Sequence, residues 1–343
     1  MKHKKKTNRR IPVFLLCVAV GLAILLFSLV GHPLSHFIFP KEPASLYIFP
    51  ENPKQGDTVF VRVKGEVSNV TGIFEKSLTS SQNKEKLVFY KKGLPAQAGN
   101  SSEWISFLGI DADQEPGDYK ISINASGEEL TKKIKVALAG FSSATTAMAP
   151  SYAQTGITQE KAVNNIVKND NPALKKVLSK FTSAPYFTSA FSFPLSSMEK
   201  TGFSFGRFIS FTKYKLQHFG VDLKAPEKTD IYSVNDGKVV AILDLPNYGK
   251  TVIIDHGLDI FSLYLHLDKF KVSVGEMVKR GQAIGLSGDT GYVTAPHLHF
   301  SIRVGSSRVD PIVFIETSKK IDDNFFLADI NSAFLNIINS AKK

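Results

Sequence analysis

One stretch of sequence decides how the C-terminal third of this chain folds: Pro296-His297-Leu298-His299-Phe300-Ser301-Ile302-Arg303-Val304. Polar and apolar residues alternate strictly from His297 onward, which is the period of a β-strand with one buried face. On a helix, side chains two positions apart diverge by about 200°, whereas on a strand they lie side by side. The pattern therefore predicts a strand on which His297 and His299 address the same point.

A second stretch supplies the carboxylate that a metal site needs. His218-Phe219-Gly220-Val221-Asp222 places a histidine and an aspartate four positions apart, so the two share a face on a strand or on a helix. Each stretch alone is more often an ordinary surface feature than a metal site. Joined to His299, the second stretch offers two imidazoles and one carboxylate, a donor set that binds Zn²⁺ and leaves one position for water. The combination predicts a catalytic zinc site.

A third histidine lies on another alternating stretch, Phe261 to Leu267, where the alternation predicts that Tyr264 and His266 share one face. We interpret His266 as a base or an oxyanion donor beside the metal, with a core or rim histidine as the alternative. The preceding run, Thr251 to Asp255, predicts a strand joined to this one by a hairpin, and we assign His256 to the turn between them.

The order and spacing of these motifs resemble the lysostaphin/LytM-type zinc metalloendopeptidases. The likeness covers roughly residues 191–314. It implies that His218, Asp222 and His299 bind Zn²⁺, that His266 and His297 are the catalytic histidines, and that peptidoglycan peptides are the substrate. All five positions carry the residue type that the family pattern requires. The resemblance also implies a mainly β fold, with an antiparallel catalytic domain of the barrel-sandwich type.

One local departure from the family pattern is the segment 227–232, which lacks the usual Gly-Thr-Pro-like turn. Two other interpretations come from different functional classes. Residues 274–282 resemble the hairpins of biotinyl and lipoyl carriers, but the acceptor lysine of a carrier is missing from its motif. The second interpretation is a non-catalytic envelope regulator that activates a separate wall amidase.

The N-terminus predicts where the protein resides. Residues 11–31 form an apolar run of about 20 residues, long enough as a helix to cross a hydrocarbon core of roughly 30 Å. Six basic residues precede it in the tail 1–10, which places that tail in the cytoplasm and all later residues outside it. A cleavable signal peptide is the alternative, although residues 29–33 make a poor cleavage site. We therefore expect a single-pass protein of a bacterial cell membrane.

Composition narrows the remaining possibilities. The chain has 343 residues, a net charge of +11 and one cysteine, Cys17, which lies in the apolar run. One cysteine excludes an internal disulfide and a cysteine metal site within a single chain. The basic balance suits an anionic wall or membrane surface and does not require nucleic acid as a partner. The sequence leaves the oligomeric state open.

Four regions follow the predicted membrane segment. They are a small immunoglobulin-like β-sandwich over 43–138, a linker with helices over 139–190, the zinc metalloendopeptidase domain over 191–318 and an amphipathic helix over 319–343. Within the linker, Asn171-Pro172 is predicted to break the helical spacing into two helices. The role of the sandwich stays open between a spacer, a wall-binding module and an inhibitory pro-region.

Overall fold

The computed structural model describes residues 42–77, 84–92, 101–145, 158–201, 204–211 and 214–321. The predicted tail 1–10 and membrane segment 11–31 lie outside these residues, as does residue 322 onward of the predicted C-terminal helix. Within the described ranges, no helix is both long enough and apolar enough to span a bilayer. The prediction of a mainly β fold is confirmed.

The N-terminal half of the described chain is a sandwich of two antiparallel sheets. Its strands are β1 (Ser45–Phe49), β2 (Thr58–Gly65), β3 (Val70–Lys76), β4 (Glu85–Leu87), β5 (Tyr90–Lys92), β6 (Ser102–Gly109), β7 (Gly117–Ala125) and β8 (Glu128–Val136). The sheet orders are β1-β2-β6-β5 and β4-β3-β7-β8. Because alternate residues of a strand face one way, Val59, Val61 and Val63 of β2 meet Ile121 and Ile123 of β7 in a common core. The immunoglobulin-like description of this sandwich remains a prediction.

Helical turns follow the sandwich. They are α1 (Gln159–Asn165), a wider π-helical segment (Ile166–Asp170) and α2 (Asn171–Leu178). Thr158 caps α1, since its side chain accepts a hydrogen bond from the backbone N–H of Lys161 at 3.2 Å. Pro172 lies in the first turn of α2, a position that proline favours because its fixed φ suits a helix. Asn171-Pro172 therefore begins the second helix, and the π-helical segment joins the two without a break.

The C-terminal half is built on one large sheet. The strands of this half, which belong to the large sheet and to a short separate one, are β9 (Ser143–Thr145), β10 (Phe208–Phe211), β11 (Tyr214–Gln217), β12 (Val221–Leu223), β13 (Asp230–Tyr232), β14 (Gly237–Leu245), β15 (Gly249–Gly257), β16 (Ile260–Phe270), β17 (Met277–Val278), β18 (Ala283–Ser287), β19 (Leu298–Val304) and β20 (Ser307–Val309). The main order is β12-β19-β16-β15-β14-β17, while β18 pairs with β13 and β16, and β20 pairs with β19. A short separate sheet has the order β11-β10-β9. The final described helix, α3, covers 311–321.

Apolar side chains cover both faces of the large sheet. Leu298, Phe300 and Ile302 of β19 point into the main core, which α3 closes with Phe314 and Ile315. On the opposite face, a smaller core gathers side chains of β14, β15 and β16 and includes Leu174 of α2. His299 of β19, and His297 just before this strand, alternate with the residues of the main core, so they lie on the face that carries the smaller core.

His256 is a correction to the sequence analysis, because it does not lie in the turn. It belongs to β15 and is fully buried, with Nδ1 2.8 Å from the carbonyl oxygen of Asp236 and Nε2 2.7 Å from Ser262 Oγ. The turn consists of Leu258 and Asp259, both with positive φ, which is the geometry of a two-residue hairpin. Burial lowers the pKa of His256 to about 4, so this residue is a neutral structural histidine.

The two halves pack directly against each other. The ring of Phe107 on β6 contacts the rings of Phe187 and Phe314, with centroids 6.4 and 6.1 Å apart. Backbone hydrogen bonds also cross the boundary, from Asp310 N–H to the Gly56 carbonyl at 2.7 Å and from Ala112 N–H to the Arg308 carbonyl at 3.2 Å. The sandwich is thus in apolar and polar contact with the sheet that carries the histidines.

Candidate metal centre and its histidines

Three side chains from separate parts of the sequence meet at one edge of the large sheet. His218 follows β11, Asp222 lies on β12 and His299 lies on β19, where it pairs directly with Asp222. Asp222 Oδ1 is 3.0 Å from His218 Nε2 and 2.9 Å from His299 Nδ1, and the two ring nitrogens are 3.0 Å apart. Among the described residues this is the group whose donor atoms could hold a metal ion.

Hydrogen bonds behind the rings fix which nitrogens face the centre. His218 Nδ1 donates to the carbonyl oxygen of Ser204 at 3.2 Å, which leaves the lone pair of the neutral ring on Nε2. Ser301 Oγ donates to the carbonyl oxygen of Phe219 at 2.8 Å, so Oγ accepts from His299 Nε2 at 3.1 Å. The lone pair of His299 therefore lies on Nδ1. Two lone pairs and a carboxylate oxygen converge, an arrangement that a cation satisfies.

The spacing of these donors fits zinc. A tetrahedral zinc site with bonds of about 2.0–2.1 Å keeps its donor atoms about 3.3 Å apart, close to the separations of 2.9 and 3.0 Å in the cluster. Two imidazoles and one carboxylate also form the donor set of catalytic zinc sites with an open fourth position. Gly220 makes the close approach possible, because a Cβ at that position would lie 2.4 Å from His299 Nε2.

The charges of the three groups suit a cation. Burial alone would raise the pKa of Asp222, but His218 and His299 outweigh it and hold that pKa well below 3.8. Burial lowers the pKa of His299 to about 4, so this ring is neutral at pH 7. Burial also opposes a charge on His218, but Asp222 outweighs it and raises the pKa of that ring. A metal ion therefore competes with a proton at His218.

The two remaining predicted site residues, His266 and His297, lie beside this cluster. Their ring centroids are 5.0 Å apart, and the ring of His266 is 6.0 Å from that of His299. His266 Nδ1 donates to the Thr290 carbonyl at 2.9 Å, and His297 Nδ1 donates to the Ala295 carbonyl at 2.8 Å. Both rings therefore keep Nε2 for other contacts, and His297 Nε2 is 3.7 Å from Asp222 Oδ1.

His266 reaches this position through an irregularity that the alternation did not predict. Tyr264 and Leu267 both lie in the main core, whereas Leu265 lies in the smaller core, so one extra residue interrupts the period of two. His266 is that residue, with a φ of 63° and its backbone N–H bonded to the Tyr248 carbonyl at 3.1 Å. The prediction that Tyr264 and His266 share a face is wrong. The bulge turns His266 away from the main core, toward His297 and His299.

Sequence reasoning missed the groups that orient the four histidine rings. Ser301 carried a signal, since it follows His299 by two positions on the same face of one strand. The carbonyl groups of Ser204, Thr290 and Ala295 carried none, because every residue has a carbonyl and only the folded loops bring these three to the rings. All five predicted side chains nevertheless lie together at one place.

The part of the chain that carries this centre is similar in sequence to known proteins. Residues 216–311 match the model of peptidase family M23. The peptidoglycan DD-endopeptidase ShyB of Vibrio cholerae serotype O1 is 44% identical over 93 residues, which are 27% of this chain and 22% of that protein. Lysostaphin of Staphylococcus simulans is 39% identical over 108 residues, which are 29% of this chain and 22% of that protein. The solved catalytic domain of lysostaphin from Staphylococcus simulans is 34% identical, with a TM-score of 0.33 over 35% of this chain and 92% of that one. The matched segment thus spans about a fifth of the two full-length relatives.

Proposed function

We propose, from the peptidase M23 domain that residues 216–311 form, that this protein is a zinc-dependent endopeptidase that hydrolyses stem or cross-link peptides of bacterial peptidoglycan. One observation carries the proposal: His218 Nε2, Asp222 Oδ1 and His299 Nδ1 converge within 3.0 Å, with lone pairs directed at one another. The names of the matched relatives support peptidoglycan as the substrate, since ShyB is called a peptidoglycan DD-endopeptidase.

The location belongs to the same proposal. The apolar run 11–31 anchors the chain in the cytoplasmic membrane of a bacterium, with the basic tail 1–10 inside and the peptidase domain outside. The anchor keeps hydrolysis near the wall of the same cell. The sandwich, for which we keep the immunoglobulin-like description as a proposal, has two four-stranded sheets and lies between the anchor and the peptidase domain in sequence.

The mechanism assigns roles to five side chains. His218, Asp222 and His299 would hold the zinc ion. When bound, zinc acts as a Lewis acid that polarises a carbonyl oxygen and lowers the pKa of water to about 7. His266 and His297 move protons through Nε2, because Nδ1 of each ring is committed to a carbonyl oxygen. One ring takes the proton of the attacking water and delivers it to the leaving amine, while the other donates to the oxyanion.

The interpretation as a non-catalytic regulator explains the site less well than a zinc endopeptidase does. A protein that only activates a separate amidase needs neither the converging donors nor two further imidazoles with Nε2 free for proton transfer. The chain keeps all five residues and the hydrogen bonds that orient the four rings from behind. Such an arrangement is what hydrolysis requires, so we place catalysis in this chain.

The test is a digestion of purified peptidoglycan with the purified chain in zinc-containing buffer. We expect released peptides to be detected by mass spectrometry, to disappear with a chelator and to return when zinc is added. Peptidoglycans of defined cross-link type identify the bond that is cut. If no peptides appear from any wall chemistry although the protein binds one equivalent of zinc, the regulator interpretation replaces the peptidase.

A further inference from the structure

A single arginine of the peptidase domain is bound by two carboxylates of the sandwich. Arg308 lies on β20, and Asp111 and Asp113 lie in the loop between β6 and β7. Arg308 donates to Asp111 through its backbone N–H at 2.7 Å, through Nε at 3.0 Å and through Nη2 at 2.5 Å. Nη2 is also 2.6 Å from an Asp113 carboxylate oxygen. Bidentate pairs of this kind fix the plane of the guanidinium.

The same guanidinium lies against the segment that carries two of the proposed zinc ligands. Its central carbon is 3.9 Å from the centroid of the Phe219 ring, a cation–π contact. Phe219 follows His218 directly, and its carbonyl oxygen accepts the hydrogen bond of Ser301, the residue that orients His299. The contacts therefore run from Asp111 through Arg308 and Phe219 to both proposed histidine ligands.

The ion pair between Asp111 and Arg308 is suited to fixing the orientation of the arginine against Phe219. The side chains of Asp111 and Arg308 are only 15% and 24% exposed, so water competes weakly for their hydrogen bonds. Hydrogen bonds to Arg308 hold the pKa of Asp111 at about 2 against the effect of burial, which leaves the carboxylate ionised at neutral pH. Because the carboxylates hold the N–H edge of the guanidinium, its flat face lies against the Phe219 ring in one orientation.

We propose that Arg308, held by Asp111, is a positioning residue for the zinc-binding segment 218–222, and that the sandwich is therefore part of the catalytic unit. This inference rests on the proposed zinc peptidase function. It opposes the view of the sandwich as an inhibitory pro-region, because losing the sandwich would release Arg308 and weaken the site. Asp111 and Arg308 act through Phe219 and touch none of the proposed ligands themselves.

The experiment compares zinc affinity and turnover in the full chain and its variants. Zinc affinity is measured by competition with a chromophoric chelator, and turnover by peptide release from peptidoglycan. In Asp111→Asn and Phe219→Leu we expect zinc affinity to fall about tenfold, the lower end of the range for groups that support metal ligands. The double variant should lose little more than either single one, because both substitutions interrupt the same series of contacts. Asp113→Asn, at a more exposed carboxylate, should shift affinity in the same direction by less.

The matched control is Phe107→Leu, which loosens the apolar contact between the same two halves without touching Arg308. We expect its zinc affinity to stay within twofold of the parent chain. Equal losses in Phe107→Leu and Asp111→Asn would overturn the inference, since the interface as a whole would then be responsible. Parent-like affinity in folded Asp111→Asn and Asp113→Asn would also overturn it. A parent chain that binds zinc and releases peptides in that experiment leaves the proposed function standing while the inference fails.

Discussion

At the scale of single residues, hydrogen bonds behind the rings determine what the front of the site can do. An imidazole has two nitrogens, and a metal ion requires a lone pair on the one that faces it. Ser204 sets this choice for His218, and Ser301 sets it for His299. The carbonyl groups of Thr290 and Ala295 set it for the two other rings. The four rings of the proposed site are thus oriented by groups that lie behind them.

Ser301 offers a test of this orientation. Ser301→Ala removes the acceptor of His299 Nε2 and lets the ring adopt the tautomer with its proton on Nδ1. We expect zinc affinity to fall 10- to 100-fold, the usual effect of losing a group that orients a metal ligand. Chelator competition measures the change. Ser301→Thr keeps the hydroxyl and serves as control, and equal affinities for the Ala variant and the parent would show that Ser301 does not set the tautomer.

The two classes of histidine should separate in a zinc measurement. His218→Ala and His299→Ala remove a proposed ligand, so both variants should lose bound zinc together with activity. His266→Ala and His297→Ala should keep one zinc per chain and lose turnover by about 10²-fold or more, because proton transfer is removed. Elemental analysis beside peptide release makes the comparison. Full zinc content in His218→Ala would make the ligand assignment wrong.

The five side chains of the proposed site were predicted from the sequence, but the groups that hydrogen-bond to the histidine rings from behind were not. His297 and His299 were readable because strand alternation is strict there, and His218 with Asp222 because four positions suit either regular element. The supports are mostly backbone carbonyls of loops, such as that of Thr290, whose positions depend on tertiary packing. His256 was misplaced for a related reason, since a histidine at the end of a buried strand has no sequence mark that distinguishes it from one in a turn.

At the scale of elements, the segment from α1 to α2 supports the strand that carries His266. Asp170 is fully buried and accepts the backbone N–H of Asn247 at 2.9 Å, while the side-chain amide of Asn247 donates to the Ala162 carbonyl at 2.6 Å. The next carbonyl, that of Tyr248, accepts the backbone N–H of His266. These contacts hold the bulge of β16 in place from outside the sheet.

Asp170 provides the prediction at this scale. Asp170→Ala leaves buried N–H groups without an acceptor, which should lower the free energy of unfolding by about 2 kcal/mol. Turnover should fall as well, since the backbone that positions His266 loses its support, whereas zinc affinity should be unchanged. Urea denaturation, peptide release and chelator competition measure the three effects. The control is Lys168→Ala on the exposed side of the same segment, and a stability loss without any change in turnover would refute the link to His266.

The elements themselves were predictable to different degrees. Regular strands such as β2, β7 and β19 follow from their alternation, because burial of one face requires it. The bulge at His266 was not predictable from alternation, since the backbone N–H of His266 bonds to the carbonyl of Tyr248, which lies in the turn between β14 and β15. The π-helical segment was also missed, because Pro172 reads as a helix breaker and equally well as the first turn of a new helix.

At the scale of the whole molecule, the boundary between the two halves determines how the site is supported. No local pattern in the sequence marks Phe107, Asp111 or Arg308 as interface residues. They are distant in sequence, and only the packed fold brings Asp111 to Arg308. The sequence therefore predicted separate sandwich and peptidase regions without the contacts between them.

The same boundary holds a pair of carboxylates that should make stability depend on pH. A Cβ at Gly305 would lie 3.3 Å from Asp259 Oδ2 and 3.5 Å from Glu85 Oε1, so the turn between β15 and β16 and the sandwich strand β4 bring these two groups close together. Burial, reinforced by Asp259 and Asp111, raises the pKa of Glu85 to about 7. Burial, reinforced by Asp255, raises the pKa of Asp259 to about 6. At a pH between the unfolded and the folded pKa of each group, the carboxyl is therefore protonated in the folded state and ionised in the unfolded state.

The sign follows from proton linkage. Between the unfolded pKa of about 4.3 and the folded value near 7, the folded protein binds more protons, so stability is highest below this window and falls as pH rises through it. We expect the free energy of unfolding to be larger at pH 5 than at pH 8, with Glu85 contributing on the order of 3 kcal/mol at about 1.4 kcal/mol per pKa unit. Glu85→Gln should remove most of that slope and stabilise the protein at pH 8. Urea denaturation at several pH values tests this against Glu227→Gln, which changes an exposed glutamate of the C-terminal half. An unchanged slope in Glu85→Gln would mean that this carboxylate is already ionised at pH 5 and that the boundary tolerates its charge.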